Sequence, residues 1–144
     1  MSAKLKMFSV VSVLLLLLCG FYSSSVHTTA SNTTTLLVMK MDGVWRVVDA
    51  TDTSNIQIKV KKKDTIVWEV EGTDAVFQFP LHLFDPADSA DALTDGYTKT
   101  VKAGHKLKLK VRSDAQSGTY EYAVFCKTDG AFARGGSPPK IIVQ

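Results

Sequence analysis

The sequence predicts an all-β domain, a Greek-key sandwich or barrel. Three observations carry this. From Leu36 onward the apolar residues recur with a period of two rather than 3.6. Clusters of turn-forming residues interrupt that pattern at short intervals. No stretch has the length and period of a crossover helix, and there is no internal repeat.

The elements follow in order. Leu36 to Met41 is a first apolar run, and Asp42-Gly43 is a strong turn signal before Val44-Trp45-Arg46-Val47-Val48. Asp49 to Asn55 is polar and turn-like. Ile56, Ile58 and Val60 then alternate with Gln57, Lys59 and Lys61, as in a half-buried strand. Lys62-Lys63-Asp64 turns the chain, and Ile66, Trp68 and Val70 share the next face. After a turn at Glu71 to Asp74, Val76 to Phe79 is extended until Pro80, which has no N–H to give a ladder.

Leu81 to Thr98 is the longest irregular segment. Within it, Pro86 to Leu93 suits a short helical turn capped by Asp88 or Ser89. Tyr97 to Val101 reads as a short strand, followed by a turn at Ala103-Gly104-His105. Leu107, Leu109 and Val111 alternate with Lys106, Lys108, Lys110 and Arg112, the clearest amphipathic strand in the chain. Asp114 to Gly118 turns. Tyr120, Tyr122, Val124 and Cys126 share one face of the following strand, and Lys140 to Val143 closes the domain. The expected core is built on Trp45, Trp68, Phe77, Phe79, Leu109 and Tyr122.

Ahead of this domain lies a different composition. Lys4 and Lys6 precede an apolar run from Met7 to Phe21. Fifteen residues fall short of the roughly 20 that a membrane span requires. A basic start with a short apolar run is the pattern of a secretory signal. The expected organisation is a signal peptide or lipoprotein signal over 1–22, a Ser/Thr-rich spacer over 23–35 and the β domain over 36–144. Leu16-Leu17-Leu18-Cys19-Gly20 is similar to a lipobox, with Leu18 where a small residue is wanted, so Cys19 is a candidate for lipidation. An uncleaved anchor is the alternative. Asn32-Thr33-Thr34 is a glycosylation sequon, meaningful only in a host that glycosylates exported proteins. The expected location is extracytoplasmic, periplasmic or secreted, with any membrane attachment made through the N-terminus.

Charge and cysteine content narrow the function. The chain of 144 residues carries a formal charge of +3, and loss of Lys4 and Lys6 leaves 15 basic against 14 acidic residues. That balance gives no case for nucleic-acid binding. Only Cys19 and Cys126 are present, so without Cys19 the domain holds no internal disulfide and depends on its core.

Several stretches together resemble the cupredoxins, the plastocyanin and azurin type of domain. "IQIKVKKKDTIVWEV" (56–70) resembles that family's strand, turn and Trp pattern, with Lys63 where the family usually has glycine. "AVFQFPLHLF" (75–84) is similar to the segment bearing its first histidine ligand. "TVKAGHKLKLKV" (100–111) resembles a following hairpin, "GTYEYAVFC" (118–126) the strand that ends at the copper cysteine, and "PPKIIV" (138–143) the closing strand. The resemblance covers about residues 44 to 143 and implies a cupredoxin-like fold.

For copper it implies much less. A type 1 site joins an early histidine to a cysteine, a second histidine and often a methionine from the last loop, soft ligands suited to copper. By position, His82 would be the early histidine and Cys126 the thiolate. The loop Lys127 to Ser137 contains neither histidine nor methionine. His105 falls in a distant turn, His27 in the spacer, and Met39 and Met41 in the first strand. No type 1 centre is expected, and no catalytic, cofactor or metal set is assigned.

Three functional readings remain. The first is a non-catalytic binding or interaction domain with a protein or glycan partner. The second is a metal-handling protein with an atypical site at His82 and Cys126. The third is a small enzyme with Cys126 as nucleophile, for which Asp129 or Asp85 would have to orient His82. No H-E-x-x-H, G-x-S-x-G or P-loop supports catalysis. Two surfaces are candidates for partners. One is the lysine face of 106–112, together with Lys59 and Lys61 to Lys63, opposed in sequence by the acidic run Asp85 to Asp95. The other is the Gly-rich loop 127–137, where Phe132 is either an inward plug or an exposed anchor.

Overall fold

The computed structural model describes residues 30–86, 93, 97–136 and 138–144. Eleven strands are present among them: β1 (Thr33–Met41), β2 (Val44–Asp49), β3 (Gln57–Val60), β4 (Thr65–Val70), β5 (Ala75–Gln78), β6 (Thr98–Val101), β7 (Lys106–Lys110), β8 (Gly118–Glu121), β9 (Ala123–Cys126), β10 (Ala131–Phe132) and β11 (Lys140–Val143). They form a β2-β1-β4-β7 sheet, a β10-β9-β5-β6 sheet and a β3-β11-β8 sheet. β1 runs parallel to β4, and β11 parallel to β3, while the other named pairs are antiparallel. These non-sequential pairings make an all-β, Greek-key-like sandwich.

Local chemistry explains much of this. Asp42 and Gly43 both adopt positive φ, 49° and 76°, the condition for a tight hairpin turn of the primed type between β1 and β2. Alternation is strict in β4, where Ile66, Trp68 and Val70 are buried and Thr65, Val67 and Glu69 only half-buried. It is equally regular in β7, where Leu107 and Leu109 are buried and Lys106 and Lys108 exposed. The inner faces of all three sheets contribute to one core cluster. All six aromatic and leucine positions expected in the core are buried.

Trp68 sits among Phe77, Phe79, Phe84 and Tyr122, with ring centroids 5.1–5.9 Å away. Its indole N–H donates to the Tyr122 hydroxyl at 3.1 Å, which satisfies the one polar atom an indole brings into a core. Burial holds the Tyr122 phenol well above its ordinary pKa, and the Trp68 bond offsets that only in part.

Four elements differ from the sequence reading. β1 begins at Thr33, so Thr33 to Thr35 of the expected spacer are strand residues paired with Thr65 to Val67. The expected continuous strand through Tyr120 and Cys126 is two strands in two sheets. The break is at Tyr122, whose N–H donates to Pro139 O at 3.0 Å, one step beyond the Glu121–Lys140 pair, where Pro139 has no N–H to return. Cys126 and Val124 keep the buried face, but Tyr120 is only half-buried, its hydroxyl donating to Gln116 O. Finally, the loop after Cys126 contains β10, paired with β9.

The signal segment, Cys19, most of the expected helical turn at Pro86 to Leu93, and Ser137 lie outside the described residues. Among the described residues no helix is long and apolar enough to cross a membrane.

Candidate functional site

β9 delivers Cys126 to the end of the sandwich where β4 leaves for β5. In register, Cys126 faces Ala75 of β5 on one side and Ala131 of β10 on the other. Directly paired strand residues project to the same face, so the thiol lies between two methyl groups. Cys126 is fully buried. Burial pushes the thiol up to about 11, and the nearby Asp129 charge adds to the shift. A thiol held there is protonated at neutral pH, which makes it a poor nucleophile and a poor metal ligand.

The loop beyond Cys126 is fastened over this end. Lys127 N–H donates to Asp74 O at 2.9 Å, and Thr128 N–H to the Thr73 hydroxyl at 3.2 Å. Asp129 makes the central contact. One of its carboxylate oxygens accepts from Lys40 Nζ and from Trp45 Nε1, each at 2.7 Å. These bonds hold its carboxyl below the usual carboxylate range. Lys40 also lies 5.9 Å from the centroid of the Trp45 ring. The latch joins three strand regions: β1, β2 and the β9–β10 turn.

His82, paired with Cys126 only in the alternative metal-handling reading, lies away from this site. β5 runs antiparallel to β9, so Gln78 is opposite Ala123, and the chain continues away from Cys126 to reach His82. Cys126 to Ala123 alone spans roughly 10 Å of strand. His82 is an exposed turn residue with φ 64°. It borders a polar cleft of about 400 Å³ with Leu81, Arg112, Asp114 and Tyr120. There Arg112 grips both oxygens of Asp114 at 2.8 Å. Among the described residues no group of three or more His, Cys, Asp or Glu side chains is placed to hold a metal ion. His105 lies in the turn before β7, with its Nδ1 3.2 Å from Ala103 O. Met39 and Met41 are half-buried on β1.

Phe132 is exposed and is not the inward plug. It is 64% exposed, with its ring centroid 5.2 Å from Phe125 in an edge-to-face contact. Ala131 and Ala133 flank it on the inward side, Ala133 buried. Next to it lies a groove of about 390 Å³ lined in part by Ala123, Phe132, Arg134, Pro138 and Pro139. Arg134 bridges to Arg46 as an added edge of the first sheet, through Arg134 N to Trp45 O and Val47 N to Arg134 O. Sequence reasoning missed this extension; the alternation Ala131, Phe132, Ala133 was the signal that would have turned Phe132 outward.

The lysine face is less free than alternation suggests. Lys106 pairs with Glu69 at 2.5 Å. Lys61 to Lys63 meet that strand only at its far end, where Lys63 N–H donates to Val111 O at 3.0 Å.

The site defined so far is a sealed cysteine beneath a latched loop, at one end of an all-β sandwich. No protein-family model and no curated protein matches the chain. Among solved structures it is similar to amicyanin mutants. One is a methionine-to-alanine mutant in the Cu(I) form, with 16% identity and a TM-score of 0.45, the match covering 81% of this chain and 87% of that one. Another is a proline-to-glycine mutant in the reduced Cu(I) form at pH 4, with 14% identity, a TM-score of 0.44 and the same coverage. The likeness is distant and concerns the fold alone.

Proposed function

We propose that this chain is a non-catalytic extracytoplasmic binding domain, cupredoxin-like in fold and without a type 1 copper centre, that meets its protein or glycan partner through the surface around Phe132. The observation that carries the reading is the pair of alanines beside Cys126. A thiolate site needs converging ligands, and Ala75 and Ala131 occupy the two strand positions next to the sulfur. The raised thiol and the fastened loop argue against a nucleophile at the same place. The leader-like N-terminus supports an exported location. A large exposed aromatic ring beside an apolar groove is the kind of feature that anchors a partner.

Two experiments test it. Titration with Cu(I) and Cu(II), followed by mass and absorption, is expected to show no stoichiometric site at Cys126. Tight binding that vanishes in Cys126→Ala overturns the reading. Tagged protein incubated with envelope extract is expected to enrich a protein or glycan that Phe132→Ser fails to enrich. Equal enrichment by both proteins removes the Phe132 surface from the proposal.

A further inference from the structure

At the other end of the sandwich, three successive residues Lys61, Lys62 and Lys63 form an exposed turn between β3 and β4. Among the described residues none of their amines is in an ion pair. The nearest carboxylate in sequence, Asp64, is committed elsewhere. It is buried, and its two oxygens accept from Lys61 N–H at 2.7 Å and from Asn32 N–H at 2.9 Å. Asp64 N–H in turn donates to Lys61 O, and Thr65 N–H to Asn32 O. The turn is therefore rigid, and its carboxylate serves the backbone rather than the lysines. Lys63 holds φ 70°, a conformation that favours glycine, so a charged side chain stands where the backbone would be easier without one.

The same hydrogen bonds fix where the N-terminal chain joins the domain. Asn32 is tied to the lysine turn, and Thr33 starts β1 beside Thr65. Ten residues of sequence separate Asn32 from the apolar run that ends at Phe21. Ten residues span at most about 35 Å. A bilayer that receives the apolar run thus lies within reach of Lys61 to Lys63. Lys59 adds a further exposed lysine on β3.

We propose that, in the chain that keeps its N-terminal run, the Lys61–Lys63 turn seats the domain on an anionic phospholipid surface, the membrane into which that apolar run partitions. Each lysine near such a surface favours binding by a factor of about five, so three give about a hundredfold at low salt. This orientation turns the opposite end outward. β4 separates the two ends by six residues, roughly 17 Å, and the Lys127–Gly130 turn is fastened at the far one. The proposal concerns a different surface from Phe132 and stands independently of it.

The test uses the full chain in vesicles of phosphatidylcholine alone or with about a third phosphatidylglycerol. Lysines are acetylated briefly and read by mass spectrometry. Both vesicles take up the apolar run, so only the seating of the domain differs. Lys61 to Lys63 are expected to label severalfold less on the anionic vesicles, with full labelling restored by about 0.5 M salt, where the Debye length falls to a few Å. Lys102 and Lys127, at the other end, are expected to label equally on both. The triple variant K61Q/K62Q/K63Q is expected to leave Lys59 labelling the same on both lipids. Equal labelling of Lys61 to Lys63 on the two vesicles overturns the proposal, as does equal protection of Lys102 and Lys127. Protection by a soluble polyphosphate but not by anionic vesicles assigns the turn to a polymer and also overturns it.

Discussion

Replacing Cys126 separates a packing role from a chemical one. Its sulfur is fully buried between Ala75 and Ala131, with no polar side chain in either flanking strand position. Cys126→Ala removes about 20 Å³, costing about 0.5 kcal/mol as cavity and about 1 kcal/mol as lost burial. Cys126→Ser nearly keeps the volume but leaves a hydroxyl without a side-chain partner, a cost of about 2 kcal/mol. The expected order of stability is therefore wild type, then alanine, then serine. Urea unfolding followed by Trp fluorescence reads this directly, each variant shifting its midpoint at unchanged slope. In a Cys19→Ser background, a thiol reagent at pH 8 is expected to react with Cys126 only as fast as the domain opens. The thiol is pushed up to about 11 and is covered. A serine variant as stable as wild type, or complete labelling of the folded protein within seconds, would refute the packing argument.

Three further outcomes are expected. Tyr122→Phe keeps the aromatic cluster but strips the Trp68 N–H of its acceptor, costing about 1–3 kcal/mol by urea unfolding; a loss below about 0.5 kcal/mol contradicts this. Lys63→Gly relieves the positive φ of the lysine turn and is expected to raise stability by about 1 kcal/mol, which thermal melts at pH 7 would read as a higher Tm. Acid is expected to weaken the fold in one window: Arg112 holds the Asp114 carboxyl down to about 2, and Lys102 and Lys40 lower Asp74 and Asp129. A depressed carboxyl favours the folded state above its unfolded value near 4, and that contribution disappears as pH falls through the folded value. The Tm should accordingly hold between pH 7 and 5 and fall between pH 4 and 2, and a flat profile down to pH 2 contradicts the ion pairs.

How much of this was legible in the sequence depends on the range of the interaction that decides each feature. The strands of the first sheet were readable because alternation is local. Leu107 and Leu109 among lysines, or Ile66, Trp68 and Val70, announce a face without knowledge of their neighbours. The Asp42-Gly43 hairpin was readable because its geometry needs only those two residues. The break at Tyr122 was not. The alternation runs in phase from Tyr120 to Cys126, and the strand changes sheet after Tyr122 because its pairing with the last strand ends at Pro139, 17 positions on, while Ala123 onward pairs with β5. The latch was hidden for the same reason: Asp129 meets Lys40 and Trp45 across 89 and 84 residues. Nor could the sequence show that Ala75 stands opposite Cys126. Strand register is a non-local property, an alanine gives no chemical signal, and His82 was the nearest ligand type in that segment.

The end of the sandwich that resemblance singles out thus holds a cysteine poorly placed for chemistry. Its cysteine behaves as a small apolar side chain, the role free cysteine commonly fills in cores. Its loop is consumed by hydrogen bonds to Asp74, Thr73, Lys40 and Trp45. Binding a metal at Cys126 would require breaking that latch, deprotonating a raised thiol and finding other ligands where two alanines stand. What the latch leaves outside is Phe132, and what the Asp64 turn leaves outside is Lys61 to Lys63. The two exposures have a common structural cause. In each, a carboxylate in the adjoining turn is spent on hydrogen bonds within the domain. Asp129 is tied to Lys40 and Trp45, and Asp64 to Lys61 and Asn32. A working surface on this domain is therefore expected where side chains are held out by rigid turns, an apolar one at one end and a basic one at the other.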